Sequence, residues 1–100
     1  MASQMQAAVY EEPKRLSVEG IPVPEVGPRD LLIRVGSCGI CGSDVHSYKA
    51  GMYIRPGQVM GHEFMGVAET VGSVVEGIEP GDRVTGFDLG VCGDCYWCSR

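Results

Sequence analysis

Glycine is the residue that most constrains this 100-residue sequence, because it fills fifteen positions between Gly20 and Gly93. Glycine enters tight turns without steric cost and weakens the interior of a helix or a strand. So many glycines predict many tight turns, and we expect a mainly β or irregular barrel fold rather than a helical bundle. The hydrophobic fraction of 44% and the charged fraction of 21% are typical of one globular domain rather than a disordered chain.

Short strands are predicted wherever apolar and β-branched residues run between turn residues, at residues 4–10, 16–18, 30–38, 64–75 and 82–87. The stretch 20–28 holds three prolines, so we expect an extended edge segment there rather than a helix or a central strand. A short helix is expected over residues 44–50, with Ser43 as its N-cap and Gly51 at its end. Several short strands and one short helix in this order favour a partly open β-barrel.

Two residues of types that bind zinc, Cys41 and His62, lie far apart in the sequence, and each has a glycine beside it. Thiolate and imidazole are groups that zinc prefers. A structural zinc site usually shows its four ligands as two closely spaced pairs, and these two residues do not. We therefore predict an open site, which residues elsewhere and a water or a substrate complete. Cys38, on an apolar strand, is expected to be a buried packing residue.

The last cysteines of the sequence form a second candidate metal motif. Cys92, Cys95 and Cys98 have the spacing C-x2-C-x2-C, which indicates metal ligands in a reducing compartment rather than disulfides. A structural zinc site needs four ligands, so we expect a fourth cysteine soon after Arg100 in a longer protein. An iron–sulfur or rubredoxin-like site is the alternative for this motif.

Charge and hydropathy exclude several classes of partner. The net charge of −5 argues against a nucleic acid or an anionic membrane surface as a partner. The apolar runs are only a few residues long, so no transmembrane helix is expected. The first residues lack the basic and apolar regions of a secretory signal, and we expect a cytoplasmic protein.

Three motifs, at residues 38–46, 61–84 and 91–98, give the sequence a family resemblance. The first reads CGICGSDVH, the second begins with Gly61-His62-Glu63 and fits the spacing G-H-E-x2-G-x5-G, and the third reads VCGDCYWC. The sequence resembles the zinc-containing alcohol and polyol dehydrogenases of the medium-chain dehydrogenase/reductase superfamily. The resemblance covers nearly the whole chain. It implies that residues 1–100 are the N-terminal GroES-like catalytic domain, a partly open β-barrel, and that the family's C-terminal Rossmann domain is absent from them.

The resemblance also implies a catalytic zinc site. Cys41 and His62 match two of its ligands, and the remaining ligand of the family lies downstream of this sequence. Glu63 matches a residue that either binds the zinc directly or adjusts the charge around it. Cys92, Cys95 and Cys98 match the opening of the family's structural zinc lobe.

The resemblance implies a proton path beside that zinc. Ser43 matches the relay hydroxyl of the family, and His46 matches the residue that passes the proton to solvent. Asp44 matches an acid that supports the zinc ligands from outside. Alternatives from local structure are a helix cap for Ser43, a first-turn acid for Asp44 and an exposed helix residue for His46.

The resemblance thus implies a zinc-dependent oxidoreductase that transfers a hydride from a secondary alcohol, a polyol or a hydroxy amino acid to NAD(P)⁺. The motif around Cys41, with Glu63 after His62, favours the polyol and threonine branch. NAD or NADP would be bound mainly by the missing domain, because no G-x-G-x-x-G motif follows a strand here. The parent would be a homodimer or a homotetramer acting on small molecules, and these residues alone would be inactive. The alternative is a non-catalytic structural zinc-binding barrel module. A zinc-free reductase is disfavoured by Cys41 and His62.

Overall fold

The computed structural model describes residues 3–86 and 95–96. Its elements are five strands and one helix, namely β1 (Gln4–Glu12), β2 (Arg15–Pro22), β3 (Leu31–Gly39), α1 (Gly42–Ala50), β4 (Glu63–Val71) and β5 (Arg83–Thr85). The predicted mainly β fold with one short helix is confirmed, and the described residues form five strands. Phe87, Cys92 and Cys98, on which predictions also fell, lie outside the described residues.

The first two strands, predicted at residues 4–10 and 16–18, form an antiparallel hairpin with Gln4 opposite Pro22 and Tyr10 opposite Leu16. Pro13 and Lys14 form its turn. The expected extended segment at residues 20–28 begins inside β2, which continues to Pro22. A proline is tolerated there because β2 is an edge strand of a two-stranded sheet.

The other three strands form an antiparallel sheet in the order β3-β4-β5. The register of β3 on β4 shifts between Val35 and Ser37, opposite Gly66. The long strand predicted over residues 64–75 is wrong beyond Val71. Gly72 leaves the sheet there, because its backbone lies against the carbonyl groups of residues 27 and 28 and its N–H donates to the Asp30 carbonyl over 2.8 Å.

Backbone hydrogen bonds join residues 57–60, the segment that precedes His62, to strand β1. The Tyr10 N–H donates to the Gln58 carbonyl over 2.9 Å, and the Met60 N–H donates to the Ala8 carbonyl over 2.9 Å. Within the part of the chain that the structure describes, the buried apolar side chains lie on this strand and on β4, at Ala7, Val9, Tyr10 and Ala68. The core therefore supports the segment that leads to His62 but leaves the ends of β3 and β4 more open.

Helix α1 begins two residues earlier than predicted, so the assignment of Ser43 as its N-cap is wrong. The N-cap is Cys41, which has an extended backbone and whose carbonyl accepts the Asp44 N–H over 3.0 Å. The Asp44 carboxylate in turn accepts the Cys41 N–H over 3.0 Å and so stabilises the earlier start. Gly51 ends the helix in the left-handed region at φ 70°, as predicted. Among the described residues there is no helix long and apolar enough to cross a membrane.

Candidate metal centre

Three potential metal-ligating groups meet at one edge of the three-stranded sheet. The Cys41 sulfur, a His62 ring nitrogen and a Glu63 carboxylate oxygen all lie within 4.8 Å of one another. Cys41 and His62 are half-buried, and Glu63 is exposed. The structure therefore brings together Cys41 and His62, which the resemblance implied as zinc ligands, and Glu63, which it implied as a ligand or a nearby charge.

The pairing of β3 with β4 explains why these residues meet. Gly39 at the end of β3 lies directly opposite Glu63 at the start of β4. Cys41 follows β3 closely and His62 immediately precedes β4, so antiparallel pairing places both at the same sheet edge. We call residues 38–44 and 61–63 the ligand edge.

Gly61 shapes the backbone immediately before His62. Its φ of +108° is rarely adopted by residues with a side chain, and a Cβ at this position would come within 2.9 Å of the Cys38 sulfur. The prediction that Cys38 is buried is wrong, because Cys38 is exposed. The end of β3 opens onto a cavity rather than into the core, and the Cys38 sulfur lies against the backbone of Gly61.

Hydrogen bonds to the sulfur favour the thiolate form of Cys41. The side-chain hydroxyl and then the backbone N–H of Ser43 are the main causes of a lowered Cys41 pKa, and the His62 ring adds to them. Burial and the neighbouring Glu63 act in the opposite direction but do not overcome the donors. The thiolate is the form of cysteine that binds metals, so this arrangement prepares Cys41 for that role.

The two ring nitrogens of His62 face two different side chains of α1. Nδ1 lies 3.4 Å from the Asp44 carboxylate, and Nε2 lies 3.5 Å from the Ser43 hydroxyl. The second oxygen of Asp44 accepts the Cys41 N–H. Asp44 therefore links the backbone of one candidate ligand to the ring of another, which is how groups around a metal site commonly orient its ligands.

His46 lies apart from this cluster. It is exposed on α1, and in the described ranges 3–86 and 95–96 no side-chain hydrogen bond joins it to Ser43. The Ser43 hydroxyl instead faces the Cys41 sulfur and the His62 ring. The relay from Ser43 to His46 stays a prediction.

Two cavities border the cluster. One of about 630 Å³ is lined by Cys41, His62 and Glu63 together with Cys38 and Gly39. The other, of about 430 Å³, is lined by Ser43, Asp44 and His62 with residues of the segment 53–61. His62 borders both cavities. A small molecule in the first cavity would lie next to all three candidate ligands, because Cys41, His62 and Glu63 line it. Sequence reasoning missed Cys38 and Gly39 as lining residues, although the spacing C-x2-C could have drawn attention to the first.

The second predicted metal motif lies almost entirely outside the described residues. Cys95 is described and exposed, whereas Cys92 and Cys98 are not described. The structural zinc site stays a prediction.

The donor set of the ligand edge fits zinc. Sulfur, imidazole nitrogen and carboxylate oxygen are its usual protein ligands, and three of them leave one position open for a water or a substrate. Fold and site together define a β scaffold that holds a thiol, an imidazole and a carboxylate close together beside a cavity.

The profile of the family "Alcohol dehydrogenase GroES-like domain" matches residues 27–100, and the chain belongs to this family. The chain is similar to the L-threonine 3-dehydrogenase of Sinorhizobium fredii, with 46% identity over 103 residues that cover 98% of the chain and 30% of that protein. It therefore spans less than a third of that relative's length.

Solved structures share the fold. The alcohol dehydrogenase TADH from Thermus sp. ATN1 is 42% identical with a TM-score of 0.88, over 95% of this chain and 28% of that one. A protein of Sinorhizobium meliloti 1021 bound to NADP, named as a zinc-binding dehydrogenase, is 41% identical with a TM-score of 0.82, over 97% and 28% of the two chains. The GroES-like fold implied by the sequence resemblance is confirmed.

Proposed function

We propose that this chain is the catalytic-domain portion of a zinc-dependent dehydrogenase, which transfers a hydride from a secondary alcohol, a polyol or a hydroxy amino acid to NAD(P)⁺. The observation that carries the proposal is the convergence of Cys41, His62 and Glu63 within 4.8 Å, beside a cavity of about 630 Å³. The names of the similar proteins, threonine and alcohol dehydrogenases, support the reaction class.

Cys41 and His62 would hold the zinc, with Glu63 as a third ligand or as a nearby negative charge. A zinc ion bound there supplies a Lewis acid, which lowers the pKa of an alcohol hydroxyl. The chain's own residues prepare the site. Ser43 stabilises the thiolate of Cys41 by hydrogen bonding, and Asp44 orients the His62 ring through Nδ1.

Ser43 is also the proposed carrier of the alcohol proton. Its side chain borders a cavity next to the cluster, so its hydroxyl can accept a proton from a bound alcohol and pass its own proton on. His46, exposed on the same helix, would exchange that proton with solvent. An imidazole suits this task because it both gains and loses a proton readily.

The remaining proposals concern the whole protein. NAD or NADP would bind mainly outside residues 1–100, which we propose to be the GroES-like catalytic domain. Cys92, Cys95 and Cys98 would hold a structural zinc together with a further ligand. The parent would act on small molecules in the cytoplasm as a homodimer or a homotetramer.

A purely structural zinc module would need only the motif of Cys92, Cys95 and Cys98. It would not require a thiol, an imidazole and a carboxylate to meet at a separate sheet edge, with a serine hydroxyl lowering the pKa of the thiol. The convergence therefore favours the catalytic proposal.

The test is the variant Cys41→Ser in the full-length parent. We expect it to abolish alcohol oxidation and to remove one zinc per subunit, measured by turnover assays and by metal analysis. Circular dichroism of the variant should remain that of the folded parent, because Cys41 is not part of the apolar core. Normal turnover with unchanged metal content would refute the proposal.

A further inference from the structure

Gly39 and Glu63 form the last residue pair of the β3–β4 ladder. Side chains of directly opposed residues in antiparallel strands lie on the same face and close to each other. A Cβ on residue 39 would come within 2.9 Å of the Oε1 atom of Glu63 and within 3.4 Å of its Cβ. The Glu63 side chain therefore occupies the space that any side chain at position 39 would need.

The position of the Glu63 side chain over Gly39 brings its carboxylate close to Cys41. Cys41 lies just beyond the end of β3, and the Glu63 carboxylate crosses Gly39 to within 4.8 Å of the Cys41 sulfur. A methyl group at position 39 would press on the carboxylate itself. Because the carboxylate is the far end of a flexible side chain, Glu63 would turn away rather than the strands moving apart.

The backbone gives no reason for a glycine at position 39. Gly39 does not have a left-handed φ, in contrast to Gly61 at +108°. Glycine inside a strand costs stability because its unfolded chain is more flexible and it has no side chain to pack. Alanine at this position would thus preserve the fold or stabilise it, and only the carboxylate of Glu63 would lose its place.

We propose that Gly39 is a positioning residue, whose missing side chain lets the Glu63 carboxylate join Cys41 and His62 at the metal. This inference rests on the proposed function insofar as it takes the cluster to be a zinc site. It adds that the affinity of the site for zinc is set partly by the space above a residue that is not itself a ligand.

Gly42 offers a matched control. It lies close to Cys41 on the other side, it does not have a left-handed φ either, and a Cβ there would meet nothing within 4 Å. Gly39→Ala and Gly42→Ala thus add the same methyl group near the same ligand. Only the first addition meets the Glu63 side chain.

The experiment follows zinc protection of Cys41 against alkylation by iodoacetamide, read by tandem mass spectrometry from fragment ions that separate Cys41 from Cys38 on the same peptide. This reading excludes zinc bound at the other cysteines. We expect Gly39→Ala to raise the zinc concentration for half-protection about tenfold, a typical effect of disturbing a group that supports a metal site. Gly42→Ala should leave that concentration unchanged, and thermal unfolding should show Gly39→Ala to be no less stable than the unchanged chain.

A double-mutant cycle assigns the effect to Glu63. We expect Glu63→Ala to weaken protection as much as Gly39→Ala does, and Gly39→Ala to cause no further loss in the Glu63→Ala background. If Gly39→Ala alone does not fold, the double variant should fold, because the 2.9 Å contact with the Glu63 carboxylate is then gone. A double variant that also fails to fold would overturn the inference.

The outcomes separate the inference from the proposed function. Absence of zinc protection at Cys41 in the unchanged chain would overturn the proposed metal centre, and with it this role of Gly39. Protection in the unchanged chain that persists undiminished in Gly39→Ala would overturn the role of Gly39 alone. Gly39→Ala could also weaken zinc protection equally in the unchanged chain and in the Glu63→Ala variant. That result would show that Gly39 acts on another group, and it would overturn the inference.

Discussion

The β1–β2 hairpin and the ligand edge take their shapes from different interactions. The hairpin has an antiparallel register from Gln4 to Tyr10, and β1 carries three of the buried apolar side chains, Ala7, Val9 and Tyr10. The ligand edge carries a half-buried thiol and imidazole and an exposed carboxylate. Its spaces beside Gly39 and Gly61 are filled by a carboxylate oxygen and a sulfur rather than by apolar side chains.

The comparison indicates that stability and metal binding depend on different parts of this chain. Apolar burial at β1 stabilises the fold, and β1 holds the segment 57–60 that leads to His62. The ligand edge is held by polar contacts, of which Asp44 makes two. Changes in the hairpin should therefore alter stability first, and changes at the ligand edge should alter metal binding first.

The largest expected effect is on stability, from Tyr10→Ala. Tyr10 is only 2% exposed, and removing a large buried aromatic side chain typically costs about 3–5 kcal/mol. Urea unfolding of the chain measures this loss. The matched control is Tyr53→Ala, because Tyr53 is 84% exposed and surface changes usually stay within about 0.5 kcal/mol. Similar losses for both variants would break the comparison.

The next effect is expected at Asp44, where one carboxylate serves both the helix and the ligands. Asp44→Ala should weaken zinc protection of Cys41 by about tenfold or more, because the His62 ring loses the group that orients it. It should also lower the free energy of unfolding by about 1 kcal/mol through the lost bond to the N-cap.

Asp44→Asn sharpens this prediction. The amide oxygen can still accept the Cys41 N–H, so stability should recover, while the loss of the negative charge leaves zinc protection weakened. Recovery of both properties in Asp44→Asn would contradict a specific role of the carboxylate at His62.

The smallest effect is expected at Ser43. Its hydroxyl and N–H lower the pKa of Cys41, so the thiolate persists to lower pH than for an ordinary cysteine. Ser43→Ala removes the hydroxyl donor and should raise that pKa, which moves the midpoint of Cys41 alkylation to higher pH in the metal-free chain. Ser43→Thr keeps the hydroxyl and should leave the midpoint in place. A downward or absent shift in Ser43→Ala would contradict this account of the thiolate.

Much of the fold was predictable because local patterns decide it. Apolar and β-branched runs between turn residues predicted strands β1, β2 and β3, and Gly51 predicted the end of α1. The convergence of Cys41 and His62 followed from their residue types and from a family resemblance, not from local patterns, since the two are far apart in the sequence.

The errors occurred where distant contacts override local patterns. Gly72 ends β4 early because it packs on the backbone of residues 27 and 28. The Asp44 carboxylate accepts the Cys41 N–H, which makes Cys41 the N-cap and starts α1 two residues earlier than predicted. Ser43 therefore lies in the first turn of the helix. Cys38 looked like a core residue by its apolar neighbours, but the end of its strand faces a cavity.

The most direct test of the account is zinc-edge anomalous diffraction from crystals of this chain grown with zinc. We expect a peak about 2.3 Å from the Cys41 sulfur and about 2.0–2.1 Å from a His62 ring nitrogen, the usual zinc ligand distances. The Glu63 carboxylate should lie over Gly39 on the same side of that peak. Zinc bound elsewhere, with no peak between Cys41 and His62, would contradict the central claim.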